Sequence, residues 1–152
     1  MMAAKESGSC EISSSPSVGS ETLKTFEDAL RPGFAVKRRT LLQATAGIPP
    51  EAIYFAFGFV ANSVSSGFFN AIGEEAFGRL KSAIMSRLFE HSREERTISF
   101  SFKTGETEMS FNCTTDNPST ISAALDAIPE IVRTANKTAT YYFNNDSLSW
   151  EE

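Results

Sequence analysis

The apolar spacing of this sequence predicts an α+β domain. The expected fold is a ferredoxin-like β-α-β-β-α-β sheet with its helices on one face, preceded by a short helix and a disordered N-terminal tail. Three observations carry that prediction. Residues 53–60 alternate like a strand, residues 97–113 alternate on both sides of a Thr-Gly turn, and two long stretches at helical spacing follow these strands.

Taken in order, residues 1–20 are mostly Ser, Gly, Ala and Glu, with little to bury, and read as a disordered tail. Ser20 reads as an N-cap. Leu23, Phe26 and Leu30 follow at helical spacing before Arg31-Pro32-Gly33 ends the helix. That amphipathic helix could dock on the body of the protein or on a partner. Residues 34–48 are ambiguous: Phe34 and Val36 alternate, whereas Thr40 to Ala46 could be helical. Residues 21–50 therefore read as a short helix and linker, and 51–152 as the domain.

From Ala52 the pattern sharpens. Ile53, Phe55, Phe57 and Phe59 share one face of an extended segment, and Tyr54, Ala56, Gly58 and Val60 share the other. A strand apolar on both faces belongs inside a sheet. The small Ala56 and Gly58 leave room for a close approach on the second face. Residues 62–91 read as a long helix bent near Gly73. Its apolar face runs through Ile72, Ala76, Leu80, Ala83, Ile84 and Leu88, with Arg87 the discordant residue.

The hairpin is the clearest local signal. Ile98, Phe100 and Phe102 alternate with Thr97, Ser99 and Ser101, and Met109, Phe111 and Cys113 alternate with Glu108, Ser110 and Asn112. Asn117-Pro118 opens a helix carrying Ile121, Leu125, Ile128, Val132 and Ala135, with Pro129 as an expected kink. Residues Ala139 to Phe143 form the last strand, ahead of a tail with Leu148 and Trp150.

Composition bounds the function. The net charge of −5 argues against bulk attraction to phosphate backbones or anionic lipids, and Lys37-Arg38-Arg39 is too short to reverse it. The thirteen Phe would bury on the order of 1,000 Å² if half were internal, so a core needs neither disulfides nor metal. Two cysteines, Cys10 and Cys113, make no disulfide framework and suggest free thiols in a reducing, cytoplasmic setting. Arg38-Arg39 ahead of an apolar stretch resembles a twin-arginine signal, but it starts far into the chain and Pro49-Pro50 interrupts it. The Asn-x-Ser/Thr triplets at Asn112, Asn136 and Asn145 are expected by chance in so Ser/Thr-rich a chain.

No reactive constellation emerges. His91 is the single histidine and lacks companion ligands for a metal or triad. Cys113 occupies the buried phase of a strand and reads as a small hydrophobe. Glu74-Glu75, Glu94-Glu95 and Glu106/Glu108 lie on a helix flank, a loop and a turn, where solvent denies them the pKa separation of an acid-base pair. Gly67, Gly73 and Gly78 form no phosphate loop. Ser63, Gly67 and Ala71 form a stripe of small residues that permits close packing, against the sheet or in self-association. The uncharged run from Ala52 to Gly73 is long enough to span a bilayer, but its polar residues and β-rich first half favour a strand followed by a helix. The hairpin strand Thr107 to Asn112 is acidic where RNA-recognition domains are basic, so nucleic acid is not expected as a partner.

The sequence thus predicts a non-catalytic interaction or accessory module, without cofactor or metal, whose partner is a protein. Leu23, Phe26, Leu30, Ser63, Gly67 and Ala71 are its expected interaction surface. A regulatory domain for a small molecule and a membrane-active protein inserting 52–73 are the alternatives.

Overall fold

The computed structural model describes residues 8–15, 19–31, 33–40, 53–61, 71–89, 95–135 and 137–152. The elements are β1 (Gly8–Ser14), α1 (Ser20–Leu30), β2 (Phe34–Thr40), β3 (Ile53–Ala61), α2 (Ala71–Ile84), a π-helical turn (Met85–Phe89), β4 (Arg96–Thr104), β5 (Thr107–Thr115), α3 (Pro118–Ala135), β6 (Ala139–Asn144) and β7 (Ser149–Glu151). Seven strands form one mixed sheet in the order β2-β1-β3-β4-β5-β6-β7.

Residues 8–14, expected in a disordered tail, form a strand inside this sheet. Cys10, Ile12 and Ser14 are buried and alternate with half-buried Ser9, Glu11 and Ser13. So short an apolar set could not order the segment by itself. Its backbone is paired on both sides, parallel to β2 and antiparallel to β3, and that pairing supplies what the side chains lack. Both β1 and β2 therefore belong to the same sheet as the strands that follow residue 51.

The strand order also departs from the ferredoxin-like expectation. In that fold another strand separates the two strands of each β-α-β unit. Here β1 and β2, β3 and β4, and β5 and β6 are adjacent parallel pairs, each bridged by a helix. Antiparallel contacts β1–β3, β4–β5 and β6–β7 join them. All three helices contribute to one core on one face of the sheet. The strand directions then require the first two crossovers to share one hand and the third to have the other. That is a departure from the usual uniform right-handed sense.

The core explains the adjacency. Facing rows cross the sheet under the helices: Val36, Cys10, Phe59, Phe102, Met109 and Ala139 in one, and Ile12, Phe57, Phe100, Phe111 and Tyr141 in the next. Within them Phe59 stacks on Phe102 at 4.9 Å, Phe57 on Phe100 at 5.2 Å and Phe111 on Tyr141 at 5.0 Å. Cross-strand aromatic pairs of this kind stabilise a pairing beyond the area they bury. Phe26 of α1 meets Phe55 and Phe57 edge-on, and Phe77 of α2 meets Phe100 likewise. Trp150 of β7 packs edge-on to Phe111 and donates from Nε1 to the Ala124 carbonyl of α3 at 2.9 Å.

Local signals act largely as their chemistry dictates. Gly105 has φ 61° in the two-residue loop between the paired Thr104 and Thr107, where a side chain would be strained. The Asn117 side chain accepts from the Ser119 amide at 2.8 Å, with Pro118 as the first helical residue of α3. That helix continues as one element through Pro129. Gly19 rather than Ser20 caps α1, and the Ser20 hydroxyl instead accepts from Arg38 at 3.3 Å.

Glu27 of α1 is buried and bonds Arg38 of β2 at 3.0 Å, so the helix is tied to the edge strand by an ion pair. Glu27→Ala should lower stability by about 1–2 kcal/mol in urea denaturation, less than for a fully buried pair because Arg38 still reaches water. A change below about 0.3 kcal/mol would show that the pair is not coupled to folding.

Candidate functional site

Among the described residues the helices cover one face of the sheet and nothing covers the other. Across that open face the strand registers align small and hydroxyl side chains into rows. One row reads Lys37, Glu11, Gly58, Ser101, Ser110 and Thr140. Its neighbour reads Arg39, Ser13, Ala56, Ser99, Asn112, Tyr142 and Glu151. Outside these lie Val60, Lys103 and Glu108 on one side, and Tyr54, Thr97 and Thr114 on the other.

The result is a shallow trough of about 440 Å³ with Glu11, Tyr54, Asn112 and Thr140 around a floor of Ala56, Gly58, Ser99, Ser101 and Ser110. Gly58 lies low in it without being required by packing. A Cβ added there would meet the Ser101 hydroxyl at 3.5 Å and the Glu11 carbonyl at 3.9 Å, both ordinary contacts. Ser99 of the floor donates to Asn112 of the wall at 2.6 Å, and outside the trough Thr97 and Thr114 share a hydrogen bond of 2.9 Å.

Charge is unevenly spread over this face. Lys37 and Arg39 mark the β2 edge, where Arg39 lies 3.9 Å from Glu11. Glu151 marks the β7 edge and accepts from Asn144 at 3.0 Å. Tyr142, beside it, is 60% exposed. The sheet edges themselves are blunted against further strand addition, β2 by its cations and β7 by its length of three residues.

The structure redistributes the residues that the sequence singled out. Leu23, Phe26 and Leu30 are buried at 6, 0 and 0% exposure, so of the two dockings the sequence allowed, on the body or on a partner, this face makes the first and is no exposed interaction surface. Ala71 opens α2, while Ser63 and Gly67 lie outside the described residues. His91 and Glu94 lie outside them too. Arg38 and Arg39 belong to β2, paired with Glu27 and Glu11. Residues 53–61 form a strand hydrogen-bonded on both sides, so 52–73 is not one helix. Among the described residues no helix is long and apolar enough to cross a membrane, and no cluster of His, Cys, Asp or Glu could hold a metal.

Both cysteines face the helix-covered core. Burial pushes the Cys113 thiol up to about 12, and burial together with the charge of Glu11 raises Cys10 further. Neither is poised as a nucleophile at neutral pH. Glu74 pairs with Arg133 and Glu75 with Arg79, both on the exposed surface of the helices, which leaves these carboxylates as solvated charge.

Compared with known proteins, the chain matches no family model, no curated protein and no solved structure. The sequence predicts a sheet with helices on one face, but the open face was not singled out as a site, because each strand's polar phase looks like an ordinary solvated face. Its only local signal was the pair of small residues, Ala56 and Gly58, on the second face of β3.

Proposed function

We propose that this protein is a non-catalytic interaction module that works through the uncovered face of its sheet. One observation carries the reading: seven strands present a continuous face whose centre is lined by small and hydroxyl side chains and covered by no element among the described residues. A sheet that only had to meet water would gain from long charged side chains, which solvate the face and discourage association. Instead charge is confined largely to the margins and the floor is low.

Site-specific photo-crosslinking tests it. A benzophenone amino acid at Thr140, on the rim of the trough, should form protein adducts in extract of the native host. The same group at exposed Ser82 on α2 should not. Ser101→Trp, which fills the floor from the solvent side, should abolish the Thr140 adducts while leaving the melting temperature within about 2 °C. Equal labelling at both positions, or adducts indifferent to Ser101→Trp, would remove the sheet face as the site.

A small polar ligand is the second reading, favoured by the trough's volume and by the side chains of Tyr54 and Asn112 on its wall. It predicts a saturable thermal stabilisation of the wild type, absent in Ser101→Trp.

A further inference from the structure

We infer that the partner of this face is a second copy of the chain, stacked sheet on sheet about a two-fold axis that runs along β4. The inference rests on the interaction reading above and names its occupant.

The argument is one of self-complementarity. In the strand order β2-β1-β3-β4-β5-β6-β7, β4 is the middle strand. A two-fold axis along it keeps each row at its own height and exchanges left with right. It lays β2 over β7 of the second copy, β1 over β6, and β3 over β5. The row through Arg39 then meets itself reversed. Arg39 faces Glu151 of the second copy, Ser13 faces Tyr142, Ala56 faces Asn112, and Ser99 faces its own counterpart. A cation meets an anion, and each large side chain meets a small one. In the next row Gly58 faces Ser110 and Glu11 faces Thr140. Lys103 lies on the axis and faces its own counterpart, a pair of cations offset by Glu108 of each copy on either side.

The other symmetric choice, an axis across the strands, lays β2 over β2. That sets the cationic edge of Lys37 and Arg39 against itself and leaves Glu151 facing no cation. The axis along β4 instead pairs Arg39 with Glu151 twice and offsets its one like-charge contact, at Lys103, with two Glu108, so electrostatics favour the axis along β4. The strands of the two sheets would then run nearly aligned, as in ordinary face-to-face packing.

Size sets the strength. Seven strands at ~4.8 Å and four rows at ~6.7 Å give about 600 Å² per copy, or ~1,200 Å² in all, the lower bound of specific interfaces. The dimer is therefore weak and concentration-dependent.

Sedimentation equilibrium of the purified full chain, from about 1 μM to about 1 mM, should show a reversible monomer–dimer equilibrium. Arg39→Glu and Glu151→Arg should each raise the dimer Kd by about tenfold or more, and the double variant should recover to within about threefold of wild type. Within one chain these positions lie at opposite edges, six strand spacings or ~29 Å apart, so their coupling reports contact between copies. A strict monomer over that range, or a dimer indifferent to both charge reversals, overturns the inference. The two readings separate in the crosslinking: Thr140 adducts to other proteins from a chain that stays monomeric uphold the interaction module and reject the second copy. Adducts of neither kind reject both.

Discussion

Phe57→Ala should destabilise the protein by about 3–5 kcal/mol, a large share of the roughly 5–15 kcal/mol that holds a domain together. Phe57 is 1% exposed and sits where α1 meets the middle of the sheet, edge-on to Phe26 at 5.6 Å and stacked on Phe100 at 5.2 Å. Truncation loses the transfer energy of the ring and opens a cavity that three elements border. Neighbouring phenylalanines are held in rows by backbone pairing, so they cannot collapse into the gap. Urea denaturation followed by the fluorescence of Trp150, the single tryptophan, measures it. Tyr142→Ala, on the open face, should change stability by no more than about 0.5 kcal/mol. Equal effects of the two would mean that the buried and open faces have been assigned the wrong way round.

The second large effect is alkaline destabilisation through the buried thiols. Burial holds Cys113 at about 12 and Cys10 higher, whereas an unfolded cysteine ionises near 8.5. Between those values the unfolded chain loses protons that the folded chain keeps. Stability is therefore fully present below pH ~8.5 and falls as pH rises, by about 1.4 kcal/mol per pH unit for each thiol. At pH 10 the two together should remove about 4 kcal/mol. Replacing both with alanine should lower stability at pH 7 but flatten the slope between pH 8.5 and 10. An unchanged slope would show that other groups govern the alkaline limb. In the same terms, a disulfide thiol reagent should find no reactive thiol in the native protein at pH 8 and two in urea.

Neither thiol effect was visible in the sequence to the same degree. The alternation of Met109, Phe111 and Cys113 placed Cys113 in the buried phase of a strand, where it lies. Cys10 sits among serines and glutamates, and nothing beside it announces a core. Its burial comes from Phe59 on the adjoining strand and Val36 on the other side, residues far away in the chain. The candidate site was hidden for the same reason. Ser13, Gly58, Ser101, Ser110 and Thr140 are unremarkable one by one, and become a surface only when five strands align them.

By itself the sequence determined which segments extend and which coil from residue 53 to 143, and which phase of those strands is buried, while it left β1, β2 and β7 unread. The strand over 53–60, the hairpin around Gly105, the helix opened by Asn117-Pro118 and the apolar faces of all three helices follow from periods of 2 and 3.6 residues. Those periods are set by covalent geometry and act over a few neighbours. Only the tertiary structure decided that β1 belongs to the sheet, that β3 lies beside β4, and which side chains stand in register across the open face. Strand pairing depends on backbone hydrogen bonds and facing rings between residues tens of positions apart. No local pattern encodes such a choice among strands of similar apolar phase.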